Sequence, residues 1–180
     1  MSSFIFVRHG QSQANAAGII ADSLSPLTEK GIEQARKTGV EVKNLGISLI
    51  VTSPYLRAQQ TAETIAGELG IDLAHIKIID ELAERGLGSL EDKPKEHDGL
   101  WYFTDDTSEG IESRADLLKR MQSCLENIKE LSNTQTVLVA GHSISGFYLQ
   151  QVAAGKTTVD EIDSPALMNN ADFVQVEIRE

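Results

Sequence analysis

The chain of 180 residues contains a single cysteine, Cys124. One thiol makes no intramolecular disulfide and no thiolate metal cluster, and its isolation fits a reducing compartment. Basic residues are also scarce: 16 Lys and Arg face 27 Asp and Glu, a formal net charge of −11. Binding to nucleic acid backbones needs a basic face, as does an anionic membrane surface, so neither partner is expected. No apolar run approaches the ~18 residues of a membrane span. The opening Met1-Ser2-Ser3-Phe4-Ile5-Phe6-Val7-Arg8 has no basic leader followed by a long apolar stretch. No signal peptide is expected, and the expected location is cytoplasmic. The sequence holds no internal repeat, no low-complexity segment, no P-loop and no His-Glu-x-x-His. Neither a catalytic metal nor a cofactor is indicated.

What is present reads as a folded domain. Hydrophobic residues make up 41 % and charged residues 24 %, the balance of a soluble globular protein rather than a disordered one. The length fits one domain over residues 1–180. Short apolar runs at Phe4–Val7, Leu49–Thr52, Ile76–Ile79, Val137–Ala140 and Phe173–Ile178 predict strands, the last of them at an edge. Helices are predicted between them. Thr28 caps one that runs to Leu45, Ser53-Pro54 reads as N-cap and first residue of a second, and 117–131 and 147–154 hold two more. Nearly all-apolar strands between helices imply a sheet buried on both faces. The expected fold is therefore α/β, a three-layer α/β/α sandwich with a mostly parallel central sheet. Residues 80–110 break the alternation and predict a long functional loop or small cap. Within it Trp101, Tyr102 and Phe103 are either a pocket lid or a plug. Cys124 falls on the apolar face of its helix and reads as a small core residue.

Two of the four histidines, His9 and His142, follow predicted strands directly. Ligands of open α/β sheets bind beyond the carboxyl ends of parallel strands, so these histidines and Arg8 are expected to meet in one crevice. Arg57, in the first turn of the helix after Leu49–Thr52, joins them at a helix terminus that already favours anions. The set points to a phosphate or carboxylate.

The sequence resembles the histidine phosphatase superfamily, which includes the cofactor-dependent phosphoglycerate mutases. Arg8-His9-Gly10 after an N-terminal strand carries the likeness, extended by Phe6 to Ser12 and Asn15. Leu24 to Gly31 with Gln34-Ala35 is similar to the family's first long helix, and Thr52 to Ala62 to its second-arginine motif. Leu82-Ala83-Glu84 with Gly88, Gly110 to Ser113, and Val137 to Ser143 complete the pattern in order.

The resemblance implies a chemistry. His9 would attack phosphorus to give a phosphohistidine, for which it must be neutral. Arg8, Arg57 and His142 would hold the phosphoryl oxygens, Asn15 would add a neutral donor, and Gln11 or Ser12 could do so as well. Glu84 would protonate the leaving oxygen and then activate water, with Glu81 the alternative acid. Arg85 is a candidate for a second anionic group of the substrate. Lys93 and Lys95 are candidates for the same group, with a solvated surface the stronger expectation for both, and Arg114 and Arg120 are expected on the solvated surface. The implied activity is a metal-independent phosphomonoester phosphatase acting on a small phosphorylated substrate. The alternatives are a phosphoglycerate mutase and a phosphohistidine-protein phosphatase.

Other classes fit less well. Gly141-His142-Ser143-Ile144-Ser145 mimics the nucleophile elbow of α/β-hydrolases. That fold needs its histidine after the serine, and none follows His142. A phosphate-binding module without turnover could dispense with the nucleophile or the acid, and this chain retains both.

Overall fold

The computed structural model describes residues 2–95, 104–162 and 167–179. His97 and Trp101 to Phe103 lie outside them. Five strands, β1 (Ser3–Arg8), β2 (Leu49–Thr52), β3 (Ile76–Ile78), β4 (Val137–Gly141) and β5 (Phe173–Glu177), form one sheet in the order β3-β2-β4-β1-β5. Three pairings are parallel, and β5 alone runs antiparallel, at the edge beside β1. The helices are α1 (Gln13–Ala17), α2 (Glu29–Glu41), α3 (Leu56–Leu69), α4 (Arg114–Ser132) and α5 (Ile144–Ala153).

Alternation along the strands builds the layers. Phe4, Phe6, Val137 and Val139 face α4 and α5. Ile5, Val7, Leu138 and Ala140 face the other way, into a second core with Ala62, Ile65 and Ala66 of α3. Burying one such large side chain contributes about 1.5–3 kcal/mol, so the central strands favour this topology strongly. Glycines allow the close approaches. A Cβ on Gly146 would lie 2.0 Å from the Phe6 ring, so α5 lies flush on β1. A Cβ on Gly10 would lie 2.3 Å from the Gly31 carbonyl oxygen, so the turn after β1 presses on the start of α2.

Thr28 caps α2 as expected, its Oγ1 accepting from Gly31 N–H at 3.0 Å. The α-helix ends at Glu41 and only a short 3-10 turn continues to Leu45. Ser53 does not cap α3, which starts at Leu56 with Tyr55 as N-cap. The Ser53 hydroxyl is engaged elsewhere, with Tyr55 N–H and His142. The last helix begins at Ile144, three residues before the expected start, because Glu84 satisfies its first free N–H groups. From the 80–110 region, Leu87 packs with Ile20 and Ile111 in a small separate cluster.

Candidate active site

Strand register brings the key residues side by side. Arg8 is opposite Gly141, and Thr52 is opposite Ala140. The next residues extend the ladder: His9 N–H donates to Gly141 O at 2.9 Å and Ser53 N–H to Ala140 O at 3.0 Å. His9, Ser53 and His142 thus stand in a row at the carboxyl edge of the sheet. The His9 and His142 rings meet edge to face at 5.3 Å.

Arg8, His9, Asn15, Arg57, Glu84 and Lys95 all line one cavity at this edge. His142 is fully buried and does not line it; it stands behind His9. Glu81 borders a different surface hollow, so of the two acids only Glu84 reaches the site. His75 is exposed in a short turn away from it. Among the described residues, no group of three or more His, Cys, Asp or Glu is arranged to hold a metal ion.

His9 Nδ1 lies 2.7 Å from the Gly10 carbonyl oxygen. A carbonyl only accepts, so Nδ1 carries the proton and Nε2 keeps its lone pair. Burial pushes His9 well below the usual imidazole range, Arg57 and Arg8 add to the effect, and the Gly10 bond opposes it. His142 is lowered in the same way, by burial first and then by Arg57, His9 and Arg8. Its Nε2 lies 2.7 Å from Ser53 Oγ, and its buried Nδ1 has no hydrogen-bond partner among the described residues.

The cations are held from behind. Arg8 Nη1 donates to the Met168 carbonyl. Arg57 is 2 % exposed, donates from Nη1 to Asp22 O at 2.5 Å, and lies 5.1 Å from the Tyr55 ring. Its buried Nε has no acceptor among the described residues. Asn15 Oδ1 accepts from Ser12 N–H and Asn170 Nδ2, which leaves the Asn15 amide hydrogens to serve a ligand. Gln11 and Ser12 are taken up structurally: Gln11 bonds Thr28, and Ser12 caps α1. The Glu84 carboxylate accepts four backbone N–H bonds, from Ser143, Ile144 and Ser145 at 2.8–3.1 Å and from Arg85 at 3.0 Å.

Several expectations are corrected. Lys95 is a wall of the cavity rather than a surface lysine. Burial and then repulsion from Arg8 and Arg57 hold it below the usual ammonium range, against the pull of Glu84. Arg85 borders the cavity, but its guanidinium bonds the carbonyls of Glu112 and Thr104. Arg114 is not a surface charge; it bonds Tyr148 Oη and the Val159 carbonyl. Arg120 is no surface charge either, and bonds Glu112 and the turn before Glu84. Cys124, by contrast, is the core residue expected, and burial pushes its thiol up to about 12. The loop before β5 adds contacts to the site that no sequence pattern announces. Asn170 Nδ2 donates to His9 O at 3.1 Å, and Ala171 N–H donates to Arg8 O at 3.0 Å with a left-handed φ of 62°. Nothing in Met168-Asn169-Asn170-Ala171 signals that conformation, because Ala is a poor left-handed residue.

The two buried histidines predict a pH dependence of stability. Both stay neutral in the folded chain, whereas the unfolded chain takes up protons near the ordinary value of 6.5. Stability is therefore fully present above pH 6.5 and is lost as the pH falls below it. The two histidines together steepen this loss by up to about 2.7 kcal/mol per pH unit. Urea titrations between pH 6.0 and 5.0 measure it. His142→Gln removes one of the two protons and should flatten the slope by about 1.4 kcal/mol per pH unit. Equal slopes for wild type and variant would overturn the assignment.

Comparison with known proteins follows the same lines. Residues 4–180 match the histidine phosphatase superfamily, branch 1. Over 150 residues the chain is 36 % identical to the "Probable phosphoglycerate mutase GpmB" of Escherichia fergusonii, covering 77 % of this chain and 68 % of that one. Among solved structures, mycobacterial glucosyl-3-phosphoglycerate phosphatase Rv2419c with VO3 aligns at TM-score 0.83 and 21 % identity, over 97 % of this chain and 90 % of that one. The phosphoserine phosphatase of Entamoeba histolytica with 3-phosphoglyceric acid aligns at TM-score 0.73 and 20 % identity, with the same coverage. At these identities the two structures bear on the fold.

Proposed function

The chain belongs to branch 1 of the histidine phosphatase superfamily, and from that premise we propose that it is a metal-independent phosphomonoester phosphatase. The observation that carries the reading is the meeting of a neutral, oriented His9 with Arg8, Arg57 and Glu84 around one cavity. His9 Nε2 attacks phosphorus while the bond to the leaving oxygen breaks, and Glu84 gives that oxygen its proton. Water then attacks the phosphohistidine, Glu84 takes its proton, and the P–N bond breaks to release phosphate and neutral His9. Arg8 and Arg57 neutralise the charge on the phosphoryl oxygens throughout, and Asn15 adds a neutral donor beside them.

The name of the 36 % identical relative favours a second reading, a phosphoglycerate mutase. A mutase must also hold the carboxylate of its substrate, which asks for further cations. Arg85 is turned to carbonyls, Lys93 is exposed, and Lys95 alone of these three remains for a substrate. That count supports the phosphatase.

The test is phosphate release by wild type with EDTA present, from p-nitrophenyl phosphate, a panel of small phosphomonoesters and a phosphohistidine protein, beside an assay for phosphoglycerate interconversion. Release unchanged by EDTA and faster than any interconversion is the expected result. Loss of activity in EDTA would remove metal independence. Interconversion without release would make the protein a mutase, and preference for the phosphohistidine protein would move the substrate class.

A further inference from the structure

Arg120 uses its whole guanidinium on one structural task. Nε and Nη2 form a two-point pair with the Glu112 carboxylate at 2.8 and 2.7 Å. Nη1 donates to Glu81 O at 2.5 Å and to Ala83 O at 2.8 Å, and Nη2 also reaches Glu84 O at 3.4 Å. Five donors thus meet five acceptors, three of them the carbonyls of the turn that carries Glu84. Glu112 ties in the other side of that turn, since its carboxylate accepts from Gly86 N–H at 3.2 Å and its own N–H donates to Gly86 O at 2.9 Å. The pair is mostly buried, at 21 % and 20 % side-chain exposure. It is anchored on α4, whose Leu117, Met121 and Cys124 are fully buried in the core.

We infer that the Arg120–Glu112 pair is a positioning device for Glu84, clamping the backbone of residues 81–84 to α4 so that the carboxylate is delivered to the leaving oxygen. The inference rests on the reading of Glu84 as the general acid. The side chain of Glu84 is held by the N–H groups of Ser143 to Ser145, and its backbone is held by Arg120. Neither anchor alone fixes the approach. A carboxyl displaced by about 1 Å loses much of its rate advantage while the phosphate cradle stays intact. A lysine at 120 offers a point charge in place of five forked donors and restores only part of the function.

Loss of a positioned acid has a signature that general damage lacks. A p-nitrophenolate leaves without a proton, whereas an alkoxide needs one. The readout is the ratio of kcat on p-nitrophenyl phosphate to kcat on glycerol 2-phosphate. In Arg120→Met this ratio should rise about 30-fold, part of the 10²–10⁴ that general acid catalysis supplies. KM for p-nitrophenyl phosphate should stay within about threefold, since the cradle is untouched. Arg120→Lys and Glu112→Gln should fall between wild type and Arg120→Met. Glu112→Gln is nearly isosteric and carries the test should Arg120→Met not fold. Glu84→Gln sets the scale. A rise in Glu84→Gln with wild-type ratios in the Arg120 and Glu112 variants would overturn the clamp and leave the acid standing. No rise in Glu84→Gln would remove the acid assignment, and the clamp's role with it.

Discussion

His9→Ala is expected to lower phosphate release at least about ten-thousandfold, because it deletes the nucleophile rather than a binding contact. Arg8, Arg57 and Asn15 are held by backbone groups and side chains other than the His9 ring, namely Met168 O, Asp22 O, Ser12 and Asn170. The phosphate cradle should therefore survive the substitution. Inorganic phosphate should bind His9→Ala within about tenfold of wild type, so turnover and binding separate. Wild type quenched in the steady state should carry an acid-labile, alkali-stable phosphoryl group, and His9→Ala should carry none. Turnover persisting in His9→Ala would move the nucleophile elsewhere. Loss of phosphate binding along with activity would show instead that the ring supports the pocket.

The parts of this site that were legible in the sequence are those fixed by short-range rules. His9 and His142 follow buried strands, and a parallel sheet must bring its carboxyl ends to one edge. Arg57 sits one residue into α3. Glu84 could be set above Glu81 only through the family pattern, and the reason for its place is tertiary: three of its four N–H partners, Ser143, Ile144 and Ser145, are about sixty positions away in the chain. The buried role of Arg120 has no local signal for a related reason. Helical periodicity says which face is apolar, but not that a polar face packs against a loop whose carbonyls need donors. Lys95 belongs to a segment without periodicity, and its approach to Arg8 and Arg57 follows no local pattern. The early start of α5 has the same origin, since its cap is supplied by a distant carboxylate rather than by a neighbouring serine.

Arg57→Lys is expected to lower kcat/KM by about 100- to 1000-fold, the cost of removing a preorganised donor from a developing oxyanion. The charge alone does not fill this position. Arg57 is 2 % exposed, spends Nη1 on Asp22 O, and keeps a buried Nε without an acceptor among the described residues. A planar fork holds fixed donors toward the wall behind it and a phosphoryl oxygen before it, whereas an ammonium is a compact charge on a flexible stem with no such fixed geometry. Arg57→Met should then be at most about tenfold worse than Arg57→Lys. The two variants part in their pH profiles. The positive charge of Arg57 helps hold His9 below the usual imidazole range. Its removal in Arg57→Met should let His9 rise toward 6.5, so that the acid limb of kcat/KM moves to higher pH. Arg57→Lys keeps a positive charge and should leave that limb near its wild-type position. If Lys restores most of the activity, point charge is what the site requires. If the limb stays fixed in Arg57→Met, the group that titrates there is not His9 under the influence of Arg57.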